Sequence, residues 1–420
     1  MSASSPSNGV HNKEIRSLPL AYHVEDSDAS ATRLILALLP EWGQAEGKIE
    51  FTRFKDGITN TLMKAVKRRP GISEEQLDKE AVLLRAYGNG TEVLIDRERE
   101  TTSHSILAQH GLAPPLLARF QNGLLYRFIR GQPCASSDLT KEPVWRGVAQ
   151  KIAQWHARLP IVADGRTAAI KDSVVVPLAQ PASASPSHLD KINAISPRKP
   201  VPNVWTVMQK WIFALPQKTH AETERRDNLQ RELERSVAEL GSTKGLGGNG
   251  MQLVFAHCDL LSGNVIVAPR IPEHEEPIVE SVSFIDYEYA TPSPAAFDLA
   301  NHFSEWGGFE CDYNVLPTRA TRKAFIQEYI ASYTSHTPLS PEIDYVSRIF
   351  AEVDKFRGIP GLYWGIWALI QATISQIDFD YASYAEVRLA EYWDWRAEQD
   401  GSREKKGQEQ PLRERRWAEE

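Results

Sequence analysis

Cysteine is scarce in this sequence: Cys134, Cys258 and Cys311 are the only three in 420 residues, and no two form a C-x-x-C pair. That excludes a disulfide framework and a thiolate zinc site, and it fits a reducing compartment. A basic surplus is also missing. Lysine and arginine number 48 against 55 acidic residues, a net charge of -7, so the chain carries no electrostatic footprint for nucleic acid. The longest apolar run, residues 359–374, is too short and too interrupted to span a bilayer. The opening residues, MSASSPSNGVHNK, lack the apolar core of a secretory leader, so no such signal is expected and the cytoplasm is the expected location. The glycine-rich GLGGNG, residues 245–250, is not followed by Lys-Ser or Lys-Thr; it reads as a loop and not as a phosphate loop. What remains is an ordinary globular composition, long enough for one large or two moderate cores.

Against these absences one stretch stands out, residues 253–306. The apolar run Leu253-Val254-Phe255-Ala256 reads as a buried strand that delivers His257 and Asp259 to a loop. Asn264 follows Asp259 by five residues, Val265-Ile266-Val267 resumes a strand, and a further strand over residues 282–285 ends at Asp286. Phosphoryl transfer needs such parts: a carboxylate to take the proton of an attacking hydroxyl, and an acid and an amide to hold magnesium against phosphate oxygens. His257-x-Asp259-x-x-x-x-Asn264 has the spacing of the kinase H-R-D-x-x-x-x-N loop, and Asp286-Tyr287-Glu288 stands where D-F-G would stand. Asp259 is then the base, Asn264 and Asp286 are magnesium ligands, and Glu288 is a further acid near the metal. A lone His-x-Asp would be explained as well by a surface turn; the full spacing between two strands favours the site. Cys258, inside the motif, reads as an inert filler rather than a ligand or nucleophile.

Upstream, residues 1–18 lack periodicity and read as disordered. Asp28 and Ser30 can cap a helix that stops at Pro40. Residues 48–54 and 62–66 read as a hairpin around Asp56-Gly57-Ile58-Thr59-Asn60-Thr61. That turn could cover nucleotide phosphates through its N–H groups and through Thr59 and Asn60, though an ordinary hairpin explains it equally well. Residues 81–87 form a strand with a single cation, Arg85, on the face opposite Val82 and Leu84. A cation there needs a partner, and the helix expected over residues 95–110 offers Glu98 and Glu100, of which Glu100 is preferred. Asn122-Gly123 marks another hairpin. Residues 163–202, rich in Ala, Ser and Pro, read as a flexible insertion, and residues 144–159, 204–213, 221–240 and 323–333 read as helices.

Downstream, Asp298, Asn301 and Glu305 share one helical face beside Phe297 and Trp306; they can orient a catalytic loop or line a pocket, and Glu305 is assigned to the pocket. Trp364 and Trp367 face the same way on a helix, and Tyr381 and Tyr384 repeat the spacing. Tryptophans so spaced are usually core, but a small cationic substrate makes an aromatic pocket the better reading. Residues after about 397 read as a charged tail.

Three segments, HCDLLSGN, FIDYEYATPSPAAFDLANHFSEW and YWGIWALIQATISQIDFDY, resemble the choline/ethanolamine kinase family. The resemblance covers residues 51–395 apart from the insertion. It implies an α+β, protein-kinase-like two-lobed fold, with a small β-rich N-lobe (residues 21–131) and a larger, mainly helical C-lobe (residues 132–397) between a disordered start (1–20) and a charged tail (398–420). It implies ATP and Mg2+ as cosubstrate and cofactor, and phosphorylation of an amino-alcohol hydroxyl that feeds phospholipid synthesis by the CDP-ethanolamine route. By position, Arg85 touches ATP phosphates, and Glu305, Trp364, Trp367, Tyr381 and Tyr384 surround the amino alcohol. Two departures are visible: the family often has Asn where Cys258 stands and Tyr-Asn where Pro292-Ser293 stands. GITNTL and IDFDY resemble the ethanolamine branch, and Glu305 and Asp380 could accept from a primary ammonium; choline, or both, is the alternative. A kinase of an aminoglycoside-like substrate is a rival with the same chemistry; a catalytically dead kinase-shaped binder and a metal-binding protein using His257 and Cys258 fit less well, because Asp259, Asn264 and Asp286 are all present and no further ligands stand near the Cys. The oligomeric state, monomer or homodimer, is left open.

Overall fold

A computed structural model describes residues 15–54, 60–88, 90–161, 186–196, 199–246, 253–270, 278–375 and 377–420. Two compact units account for the chain, one from Met1–Gly88 and Pro114–Ile129, the other from Asn89–Ala113 and Arg130–Glu420.

The smaller unit is a six-stranded sheet in the order Ser17–Leu18, Leu116–Phe120, Gly123–Arg127, Val82–Tyr87, Asn60–Arg68, Lys48–Phe54. All neighbours are antiparallel except the first pair. Alternation sends Met63, Ala65, Val82, Leu84 and Ala86 to one face, where Leu34, Ile35 and Leu38 of helix Ser27–Leu38 pack on them. Alternation places Arg85 on the other face, where it too is buried.

The larger unit is mainly helical. Helix Glu142–Arg158 packs on Arg319–His336, and Ile359–Ile374 packs on Tyr381–Gln399. The second crossing is close enough to need glycine: a Cβ on Gly361 would lie 2.5 Å from the Arg388 carbonyl oxygen. Two small antiparallel sheets sit among the helices. One pairs Val254–Ala256 with Thr291–Ser293; the other orders Val282–Phe284, Val265–Val267 and Gln132–Pro133. The core around them is aromatic, with Trp155, Trp205, Trp211 and Tyr329 fully buried. Among the described residues no helix is long and apolar enough to cross a membrane.

The structure corrects the sequence reading in several places. Disorder does not extend to residue 20, because Ser17–Leu18 pairs with Arg119 and Phe120 and buries Leu18. Helix Arg97–Gln109, expected in the N-terminal lobe, clusters with the larger unit. Part of the expected insertion is a helix, Pro186–Ala194, while residues 162–185 and 197–198 lie outside the described residues. Residues 398–420 are not a tail: helix Leu412–Ala418 buries Arg413, Glu414 and Trp417, a pattern of buried charge that apolar periodicity cannot show. Residues 1–14, Thr59 with most of its turn (55–59), and most of the GLGGNG loop (247–252) lie outside the described residues.

Candidate active site

Strand Val254–Ala256 ends at His257, and the chain then turns sharply. Cys258 has φ 63° and Asp286, at the end of the neighbouring sheet, has φ 65°. Left-handed backbone in two non-glycine residues is costly and is held only where the surroundings fix it. At Cys258 the fixing group is Asp298. Its Oδ1 accepts from Cys258 N at 2.7 Å, its Oδ2 accepts from His257 N at 3.0 Å, and Oδ2 also lies 3.0 Å from His156 Nε2. Burial alone would raise the Asp298 carboxyl, but the His156 hydrogen bond, the nearby histidines and the Cys258 N–H bring it below its usual value. Asn301, one turn on, donates to Cys258 O at 3.0 Å and accepts from Trp364 Nε1 at 2.8 Å. His302 holds Leu260 O, two residues on, at 2.8 Å. One face of helix Ala295–Ser304 therefore grips His257, Cys258 and Leu260, on both sides of Asp259.

His257 ties the two acid-bearing segments together. Its Nδ1 accepts from Asp259 N at 3.3 Å, which leaves Nε2–H to donate to Ile285 O at 3.0 Å, one residue before Asp286. The ring stacks on Trp155 and is fully buried, so burial lowers its pKa and keeps it neutral. Asn264 completes the loop: its Nδ2 donates to Asp259 O at 2.8 Å and to Asp259 Oδ2 at 3.2 Å. With Nδ2 committed, Oδ1 is the atom of that amide suited to a cation. Asp259 is 7% exposed, and its pKa is raised first by burial and then by the charges of Asp286, Glu305 and Glu288, with Asn264 opposing. The charges of Asp286, Glu305 and Glu288 therefore bear on Asp259. Tyr289 lies in the same field, its phenol pushed up by burial, Glu288 and Asp259.

Tyr289 also opens an aromatic cluster. Its hydroxyl accepts from Trp367 Nε1 at 2.7 Å, and its ring lies 5.6 Å from Trp364. Trp364 and Trp367 meet edge to face at 5.5 Å, and Tyr381 stands 5.7 Å from Trp367. Tyr384 joins through Phe379 and lies under the Arg388 guanidinium. Glu305 Oε1 accepts from Arg388 Nη2 at 2.8 Å, both side chains buried.

The choline/ethanolamine kinase family model matches residues 51–393. The chain belongs to that family. Ethanolamine kinase 2 of Mus musculus is 31% identical over 88% of this chain and 82% of its own length. The probable ethanolamine kinase A of Dictyostelium discoideum is 28% identical over 85% and 89%. Among solved structures, an ethanolamine kinase of Plasmodium vivax superposes with a TM-score of 0.62 at 22% identity, covering 87% of this chain and 88% of that one. A choline kinase of Cryptosporidium parvum gives 0.59 at 21%, covering 89% and 97%. The expected α+β, protein-kinase-like architecture is the one observed.

Within this choline/ethanolamine kinase, the larger unit carries Asp259, Asn264, Asp286, Glu288, Glu305, Trp364, Trp367, Tyr381 and Tyr384; Asn264 bonds Asp259, and the four aromatics are linked ring to ring through Phe379. Asn60 and Arg85 stand on adjacent strands of the smaller unit. Glu100 is reached by Arg97 Nη1 at 3.0 Å, which also lies 3.3 Å from Glu288. Sequence reasoning passed over Arg97, although its i,i+3 spacing to Glu100 was visible, and it passed over Tyr289 in the D-Y-E-Y run. Asp380, offered as an ammonium acceptor, is instead the exposed N-cap of helix Tyr381–Gln399, accepting from Ser383 N at 3.0 Å. The two departures from the family pattern meet each other: Cys258 Sγ lies 3.3 Å from Ser293 Oγ. Burial raises that thiol well above its usual pKa, which leaves it neutral and unsuited to nucleophilic work.

Proposed function

We propose that this family member transfers the γ-phosphoryl group of ATP to the hydroxyl of ethanolamine, giving phosphoethanolamine and ADP. The observation that carries the reading is the buried Asp259–Asn264 pair set among three further carboxylates and beside the Tyr289–Trp364–Trp367–Tyr381 cluster. The alcohol oxygen bonds to the γ-phosphorus, the bond to the bridging oxygen breaks, and ADP leaves with that electron pair. Asp259 takes the hydroxyl proton, and its raised pKa makes it the better acceptor. Arg85, Glu100, Thr59 and Asn60 are assigned to the nucleotide. On the other side Glu305 faces the ammonium and Trp364, Trp367, Tyr381 and Tyr384 enclose the carbon chain.

Magnesium fits the donor set. Asn264 and Asp286 would hold it, with Glu288 near by, and the crowding that raises Asp259 is what a divalent cation would relieve. When bound it neutralises charge on the transferring phosphoryl group.

Ethanolamine is preferred to choline because a primary ammonium needs acceptors and Glu305 supplies one; the relatives named above as ethanolamine kinases support the same choice. The aromatic cluster suits choline too, and dual use is the second reading. The place of action is the cytoplasm, and the product enters the CDP-ethanolamine route. The test is magnesium-dependent ADP release with the two alcohols side by side: a higher kcat/KM with ethanolamine is expected, and background rates with both would remove the assignment.

A further inference from the structure

Residues 394–420 lie beyond the stretch matched by the family model, yet their last helix reaches the substrate-side end of the site. Trp417 anchors it. The indole donates to Asp354 Oδ1 at 2.9 Å, the Trp417 carbonyl accepts from Arg322 Nη2 at 2.8 Å, and the Arg322 guanidinium lies 4.2 Å from the ring centroid. Arg319 N adds a backbone bond to Glu419 O at 2.7 Å.

With the helix so placed, Arg413 points inward. Its Nη2 donates to Ser304 Oγ at 3.1 Å, at the last residue of helix Ala295–Ser304 and next in sequence to Glu305. Its Nε lies 3.9 Å from Glu391 Oε2, and that same oxygen lies 3.4 Å from Arg388 Nε, while Arg388 Nη2 holds Glu305 at 2.8 Å. On the far side Arg413 Nη1 meets Glu414 Oε1 at 3.0 Å, and Glu414 Oε2 lies 2.8 Å from Arg357 Nη2. Charge alternates along Glu305, Arg388, Glu391, Arg413, Glu414 and Arg357, and the first five side chains are buried. A buried carboxylate that loses one of two neighbouring guanidiniums attracts the remaining one more strongly, since less of its charge is compensated.

We propose that the C-terminal segment is a clasp and that Arg413 is a positioning residue for Glu305, holding it in two ways: by pinning Ser304, and by sharing Glu391 so that Arg388 stays on Glu305. Its bearing on the substrate rests on the reading above, in which Glu305 faces the amino alcohol.

The test compares Arg413→Ala and Arg413→Lys with the wild-type full chain. Arg413→Ala is expected to raise KM for ethanolamine about ten-fold, the size of one lost charge-assisted hydrogen bond, with kcat and KM for ATP within about two-fold. Arg413→Lys restores the charge facing Glu391 and is expected to recover part of that loss. Independently of turnover, hydrogen–deuterium exchange of residues 300–310 is expected to rise in Arg413→Ala. Should that variant not fold, Ser304→Ala removes the pin alone and is expected to show the same exchange increase. Unchanged exchange at 300–310 overturns the clasp. So does a variant that loses kcat and both KM values together with its melting temperature, which is what a purely structural residue would give. If the wild type does not turn over ethanolamine, the substrate reading fails and the exchange measurement alone decides the clasp.

Discussion

Asp298→Asn is the perturbation most sharply framed by the geometry. The carboxylate accepts from two backbone N–H groups, one on each oxygen, and shares the second oxygen with His156 Nε2. An asparagine offers one acceptor oxygen. Whichever way the amide faces, its NH2 opposes either Cys258 N–H or His257 N–H, so one buried donor is orphaned at about 1–3 kcal/mol. The survivor is also a neutral bond where a charged acceptor stood, which adds to the loss. A destabilisation of about 2–4 kcal/mol is expected in urea unfolding. Turnover is expected to fall further, because Cys258, next to Asp259, holds left-handed backbone that relaxes once the grip weakens. Displacing Asp259 by about 1 Å would lower kcat by roughly 10²-fold. ADP release measured on the folded variant, at a urea concentration of zero, separates the two effects. A variant with wild-type stability and turnover within two-fold would show that Asp298 does not hold the loop.

Two further predictions follow from packing and burial. The Nε2 of His302 accepts from Trp306 Nε1–H at 3.2 Å, an indole that can only donate, and burial lowers the His302 pKa from 6.5 to about 4. A folded-state pKa below the unfolded one means that the unfolded chain binds the proton first. The stabilisation is therefore complete above pH 6.5 and is lost as pH falls towards 4, about 3 kcal/mol in all. Urea unfolding of wild type and His302→Gln across that window should show the wild type with the steeper fall; equal slopes would contradict the assignment. Gly361→Ala places a methyl group 2.5 Å from the Arg388 carbonyl, so it should cost about 1–3 kcal/mol despite the better helix propensity of alanine, and a neutral or stabilising result would refute the close crossing.

The strand–loop–strand piece was legible because its information is local. Val254 to Asn264 carries strand, turn and functional groups within a dozen residues, and the structure keeps that order. The helix bearing Trp364 and Trp367 was legible for the same reason, since periodicity declares which side chains share a face. What escaped was long-range polar pairing. The shared face of Asp298 and Asn301 was legible as one that could orient a catalytic loop, but nothing in the spacing says which backbone groups, 40 residues earlier, Asp298 will hold, or that Arg388 will reach back to Glu305. The charged terminus misled outright, because Arg413 and Glu414 are buried by neutralising each other and their neighbours, and composition reads buried and solvated charge alike.

The most direct measurement is turnover in Asp259→Ala beside nucleotide affinity in the same preparation. With the proton acceptor gone and the rest of the fold retained, ethanolamine-dependent ADP release should fall to background while ATP still binds within a few-fold of the wild type. A variant that phosphorylates ethanolamine at a near-normal rate would contradict the account, because the loop built around that side chain would then have no chemical task.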